Sequence, residues 1–83
     1  MGSPKEALLA AIDAAGTQTE LAGRLSAYFQ AHDDPHVKDW VVTQAHVATW
    51  VRRGRASGRA CHGIEALTGV RARQLRPDLF YGA

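Results

Sequence analysis

The stretch from Thr43 to Arg55 has the marks of one short helix, and both its ends and its faces can be read from the sequence. Thr43 belongs to a residue type favoured as an N-cap, and Gly54 to the type that ends helices in a left-handed conformation. Val47, Trp50 and Val51 are spaced i, i+3 and i+4, which makes one face apolar. The sequence therefore predicts an amphipathic helix over residues 44–53 that packs on a core through this face.

The other face of this predicted helix carries groups that can read DNA. Gln and Thr side chains hydrogen-bond to base edges, an Ala methyl contacts the methyl group of thymine, and arginines bind phosphates. The positions that carry such groups are Gln44, Ala45, His46 and Thr49, followed by Arg52, Arg53 and Arg55. Two interpretations stay open for the stretch taken alone: the second helix of a helix-turn-helix in a major groove, or an amphipathic helix with a solvated polar face.

Two further helices are predicted before this stretch. The run Ser3-Pro-Lys-Glu6 is typical of a helix start, and Gly16 of a helix end. A second capping box, Thr17-Gln-Thr-Glu20, starts a helix that can run to about Ala31. The expected buried faces are Leu8, Leu9, Ile12 and Ala15 in the first helix, and Leu21, Ala22, Leu25 and Phe29 in the second.

Two shorter helices are predicted after it. Ser57 is expected to cap a helix at about 58–67 that ends at Gly69, and a last helix lies near 72–76. The side chains expected to pack on the core from here are Ala60, Ile64, Leu67, Leu75, Leu79 and Phe80. Trp40-Val-Val42 is either extended or tucked into the core. The predicted fold class is all-α with five helices and at most a short extended pair near 36–42.

Chain length and composition further narrow the possible classes of protein. The chain has 83 residues, enough for one small domain over 1–83. Its single cysteine, Cys61, excludes an internal disulfide framework. The sequence contains neither an apolar run of about 20 residues nor a signal-peptide pattern at its start. We therefore expect a cytoplasmic protein.

The charge is distributed unevenly along the chain. Residues 1–42 carry three basic and six acidic side chains, for a net charge of −3. Residues 43–83 carry seven arginines and two acidic side chains, for a net charge of +5. Such a surface can be merely solvated, but the asymmetry favours an anionic partner for the C-terminal half.

Four motifs in order give the chain a resemblance to a known family. They are Thr17-Gln-Thr-Glu-Leu-Ala22, Thr43-Gln-Ala-His-Val-Ala-Thr-Trp-Val-Arg-Arg-Gly54, Gly63-Ile-Glu-Ala-Leu-Thr-Gly-Val70 and Leu75-Arg-Pro-Asp-Leu-Phe80. The chain resembles the YdaS-type, Cro-like helix-turn-helix regulators of bacteriophages and prophages, over the first helix and from Val42 to Phe80. The resemblance implies a lambda-repressor-like DNA-binding domain that works as a homodimer on a pseudo-palindromic operator in double-stranded DNA. Some relatives are labelled antitoxins.

The resemblance also assigns roles to residues. It implies base contacts by Gln44, Ala45, His46 and Thr49, and backbone contacts by Arg52 and Arg53, which follow on the same helix. Thr17, Gln18 and Thr19 at the start of the second helix are expected to contact the phosphate backbone, where free N–H groups favour an anion.

One departure from the family pattern is large. The small residue of the first motif helix and the buried aliphatic of the second usually lie about ten positions apart, whereas Ala22 and Val47 are 25 apart. Ser26 occupies the place of the usual turn glycine. The sequence therefore predicts an insert at about 26–42, either as a lengthened second helix with a returning loop or as a small flap.

The insert supports a second function class. Tyr28, Phe29 and Trp40 lie near acidic residues, which suits a protein-interaction adaptor or an antitoxin-like protein. Trp40 fits either a core position or a partner surface. Leu79-Phe-Tyr81 and the insert are both candidate dimer surfaces.

Metal binding and catalysis are not expected. His32, Asp33, Asp34 and His36 lie close in sequence, but their spacing matches no structural zinc pattern. Cys61 and His62 are adjacent on a predicted helix, so their side chains point about 100° apart. No phosphate-binding glycine loop is present, and we expect a binding protein without cofactor, small-molecule substrate or membrane association.

Overall fold

The first two helices begin at the caps that the sequence marks. In a computed structural model, which describes residues 3–32 and 38–80, α1 spans Pro4–Ala15 and α2 spans Gln18–Ala31. Glu6 N–H donates to Ser3 Oγ at 3.2 Å. Glu20 N–H donates to Thr17 Oγ1 at 3.1 Å. These bonds satisfy N–H groups that have no partner in the first turn of a helix, and they fix where each helix begins.

The third helix has the predicted bounds. α3 spans Gln44–Arg53, and it ends because Gly54 adopts a φ of 79°, which costs residues with a side chain more than it costs glycine. A short 3₁₀ turn, Gly58–Ala60, leads into α4, Cys61–Thr68, and α5 spans Ala72–Leu75. No strand is present within the described residues, so the architecture is all-α with five α-helices.

All five helices contribute to one core. α2 packs on α1, α3 and α4, and α1 packs on all four of the other helices. The side chains that are fully buried and largest are Leu8, Leu21, Leu25, Val47, Cys61, Ile64 and Leu75. Along residues 3–32 and 38–80, no helix is both long and apolar enough to cross a bilayer.

Three predictions about packing and helix bounds were wrong. Leu9 is 44% exposed, because the core face of α1 runs through Leu8, Ala11 and Ala15. Leu79, in the turn after α5, is 53% exposed, because its side chain lies over Gly58 at the surface and does not enter the core. Ser57 makes no side-chain cap, and the chain from Gly58 forms a 3₁₀ turn before α4 begins.

Of the two forms predicted for the insert at 26–42, the structure shows the lengthened second helix, because the first six residues of this segment continue α2 to Ala31. Ser26 in α2 then bonds to Val42, at the end of the segment that leads from α2 to α3. Its Oγ accepts a hydrogen bond from the Val42 N–H at 2.8 Å. The hydroxyl can donate to the carbonyl oxygen of either Val42 or Ala22, each of which lies 3.0 Å away. Ser26 therefore joins α2 to the residue that precedes the cap of α3.

The returning chain packs into the core through Trp40. The Trp40 ring stacks on Phe29, with 5.4 Å between ring centroids, and lies 6.2 Å from the Trp50 ring. The Arg59 guanidinium lies 4.3 Å from the centroid of the Trp40 ring. Of the two roles predicted for Trp40, these contacts fit the core role.

Candidate nucleic-acid interface

The N-terminal ends of α2 and α3 meet at the surface through two glutamines. Gln44 Nε2 donates to Gln18 Oε1 at 2.8 Å, across 26 positions of sequence. Gln44 is exposed, Gln18 is half-buried, and the flanking Thr17, Thr19 and Ala45 are exposed as well. The structure thus brings Gln44, which was predicted to read a base, into contact with Gln18, which was predicted to contact the DNA backbone.

The first turn of α3 is fixed by a reciprocal cap. His46 N–H donates to Thr43 Oγ1 at 3.3 Å, and Thr43 N–H donates to His46 Nδ1 at 3.0 Å. Because Nδ1 accepts a hydrogen bond from the Thr43 N–H, a neutral His46 ring carries its own proton on Nε2, which can donate to another partner. The sequence predicts a base contact for His46, and the structure adds a capping role that its position three residues after Thr43 allows.

Thr49 is engaged within its own helix. Its hydroxyl donates to the Ala45 carbonyl at 2.9 Å and accepts from Arg52 Nη2 at 3.1 Å. Since the hydroxyl proton is used inside α3, Thr49 has only acceptor capacity left for a base, and it also orients Arg52. Thr49 is half-buried, unlike the other predicted base-reading residues.

The predicted arginine contacts lie at the other end of α3. Arg52 and Arg53 form its last turn and Arg55 follows Gly54, and all three are exposed. At 1.5 Å per residue, Gln44 and Arg53 are separated by about 13 Å along the helix axis. The exposed surface of α3 therefore has a polar, uncharged beginning and a cationic end.

The two C-terminal motifs make hydrogen bonds that connect the last helices of the fold. Ala72 N–H donates to Glu65 Oε1 at 2.7 Å, which caps α5. Thr68 Oγ1 donates to the Ile64 carbonyl at 2.7 Å and accepts the N–H of Val70 at 3.2 Å. These bonds give Glu65 and Thr68 of the third motif a role in joining α4 to α5.

Arg76 ties the last motif to the loop after α3. Its Nη1 donates to the Ala56 carbonyl at 3.1 Å, and its Nε and Nη2 donate to the Asp78 carboxylate at 3.0 and 2.7 Å. These bonds from Arg76 lower the pKa of the Asp78 carboxyl, which stays ionised at neutral pH. The sequence analysis missed Arg76, although arginine and aspartate two positions apart in a turn were a visible signal.

Cys61 is the only cysteine of the sequence, and its side chain is buried. Burial raises the pKa of the Cys61 thiol to about 11, so the thiol is protonated at neutral pH and is a poor nucleophile. In the part of the chain that the structure describes, no three His, Cys, Asp or Glu side chains form a group that could bind a metal ion. Asp33, Asp34 and His36 lie outside the described residues.

Comparisons of the chain with protein-family models, curated proteins and solved structures found no match. The resemblance to the YdaS-type regulators rests on the motifs alone and stays a prediction.

Proposed function

We propose that the protein is a sequence-specific DNA-binding transcriptional regulator of the Cro-like, lambda-repressor-like type. In this proposal α2 and α3 are the two helices of a helix-turn-helix whose turn has become a longer connection, α3 lies in the major groove, and the start of α2 contacts the backbone. The observation that supports it most is the Gln18–Gln44 hydrogen bond, which joins the N-terminal ends of two packed helices at an exposed surface.

The bond gives Gln44 a defined orientation. Because one N–H of its Nε2 donates to Gln18, the amide keeps its second N–H and its Oε1 for another partner. Adenine offers a matching acceptor at N7 and donor at N6 in the major groove. Gln44 is therefore proposed to read an adenine, while the free amide N–H groups of Gln18 contact a phosphate.

The other contacts follow from position on the two helices. Ala45, His46 and Thr49 are proposed to contact bases next to Gln44. The backbone contacts are assigned to Thr17, Gln18, Thr19, Arg52, Arg53 and Arg55. Because a single α3 covers only a few base pairs, we propose that a homodimer binds a pseudo-palindromic operator.

Selection from a random duplex library at near-physiological salt tests this function. We expect enrichment of a short inverted repeat, and the Gln44→Ala variant should select a site degenerate at one position of each half. Gln30→Ala, at an exposed glutamine near the other end of α2, is the matched control and should select the wild-type site. Weak, salt-sensitive binding without enrichment of any sequence would contradict the proposal.

A protein-interaction adaptor or antitoxin-like protein acting through the insert is the second candidate. Trp40 supports it less than the sequence suggested, because its ring packs against Phe29 and Trp50. Val41 supports it more, since this apolar side chain is 58% exposed beside the start of α3. Failure of DNA selection together with loss of a partner in Val41→Asp would favour this candidate.

A further inference from the structure

A cationic cleft lies at the C-terminal end of α3. It has a volume of about 200 Å³, and its lining includes Arg53, Arg55, Ser57, Gly58 and Arg76. Arg53 and Arg55 belong to the predicted DNA surface. Ser57 and Gly58 lie at the start of the 3₁₀ turn, and Arg76 follows α5. The fold thus brings Arg53 and Arg76, which are 23 positions apart in the sequence, to the same small cleft.

Several residues that line the cleft carry N–H or O–H groups that make no hydrogen bond within the described residues. Among residues 3–32 and 38–80, the guanidinium groups of Arg53 and Arg55 and the Ser57 hydroxyl make no hydrogen bond or ion pair. Arg76 uses one N–H on Ala56 and two on Asp78, which leaves two of its five. A tetrahedral oxyanion of phosphate size fits both the volume and this set of donors.

We propose that this cleft binds a phosphate of the DNA backbone, and that Asp78 limits the affinity by partly neutralising Arg76. The inference rests on the proposed function and adds Ser57, Arg76 and Asp78 to it. The distance of about 13 Å from Gln44 to Arg53 along α3 is close to the width of a major groove, about 12 Å. The exposed start of α3 and the cleft at its end are therefore separated by about the width of one major groove.

The proposed role of Asp78 predicts that a variant binds DNA more tightly, and a loss of folding cannot produce such a gain in affinity. Asp78→Asn removes a negative charge beside the cleft, and one unit charge roughly 7 Å away in water changes an equilibrium by about threefold. We expect this variant to bind a random-sequence duplex about threefold more tightly than wild type at low salt. Glu6→Gln, which removes an exposed carboxylate that lines a separate cleft beside α1, is the charge-matched control and should bind like wild type.

A second variant tests the donors directly. Arg55→Gln should weaken binding to all duplexes alike and lower the slope of log affinity against log salt by about 1. An arm with inorganic phosphate, monitored through the Arg Nε–H signals in NMR, distinguishes a DNA phosphate from free phosphate. We expect the Arg53, Arg55 and Arg76 signals to shift with duplex DNA at concentrations at which inorganic phosphate leaves them in place.

The outcomes separate this inference from the proposed function. Wild-type binding to a selected operator, with Asp78→Asn and Arg55→Gln both unchanged, overturns the cleft and leaves the function intact. Equal gains in DNA affinity for Asp78→Asn and Glu6→Gln also overturn the proposed phosphate site, because they indicate an effect of net charge alone. Signals that shift with inorganic phosphate while no duplex binds overturn the DNA assignment and the proposed function together.

Discussion

Ser26 is the residue on which the unusual connection between α2 and α3 depends. Replacing it with alanine leaves the Val42 N–H without its partner in a half-buried site, which costs about 1–3 kcal/mol. We expect Ser26→Ala to lower the free energy of unfolding by that amount in urea denaturation. Ser57→Ala, at a serine without a side-chain cap, should change it by less than about 0.5 kcal/mol. Equal stability of the two variants would show that Ser26 does not close the connection.

Cys61 makes the stability of the folded protein depend on pH in the alkaline range. Because burial raises the thiol pKa from 9.0 to about 11, the unfolded chain loses this proton first as the pH rises. The contribution of Cys61 to stability is therefore fully present below pH 9 and is lost between about pH 9 and 11. Unfolding followed across this range should show a steeper decline for wild type than for Cys61→Ala. Parallel curves would contradict the burial of the thiol.

The packing of α4 on α2 depends on a glycine. An ideal Cβ at Gly63 would lie 2.9 Å from Phe29 Cε1 and 3.0 Å from Leu25 Cδ2, closer than side-chain atoms normally approach. We expect Gly63→Ala to destabilise the protein by about 1–3 kcal/mol, because both of these neighbours are buried and have little room to move. Gly23→Ala, at an exposed helical position with no atom within 4 Å, should instead be neutral or stabilising in the same thermal denaturation assay. Similar melting temperatures for the two variants would contradict this close packing.

Helix ends were predictable where the signal is local. The caps at Ser3, Thr17 and Thr43 and the stop at Gly54 lie within a few residues of the bonds they make, so the sequence was enough to place them. Ser57 had the same residue type, but the chain after it forms a 3₁₀ turn and offers no N–H to its side chain. A cap residue indicates a helix start only if the next turn is α-helical, which depends on packing against the rest of the fold.

At the scale of the whole molecule, the core was largely predicted and the contacts between distant segments were not. Apolar spacing identified Leu8, Leu25 and Ile64 as buried, because one face of each helix is visible in the sequence. The Gln18–Gln44 bond and the Arg76–Ala56 bond join segments 26 and 20 positions apart. No local pattern encodes such pairs, since they depend on how helices are placed relative to one another.

The central claim is that Gln44, oriented by Gln18, reads a base from the exposed start of α3. The most direct test is a double-mutant cycle with Gln18→Ala and Gln44→Ala, measured on the selected operator and on duplexes with single base-pair changes. We expect Gln44→Ala to cost about 1–3 kcal/mol on the operator and to remove the preference at one base pair. Gln18→Ala should weaken that same preference, and the two effects should be less than additive because the residues act through one contact. Equal losses on every duplex, with additive effects, would contradict the claim.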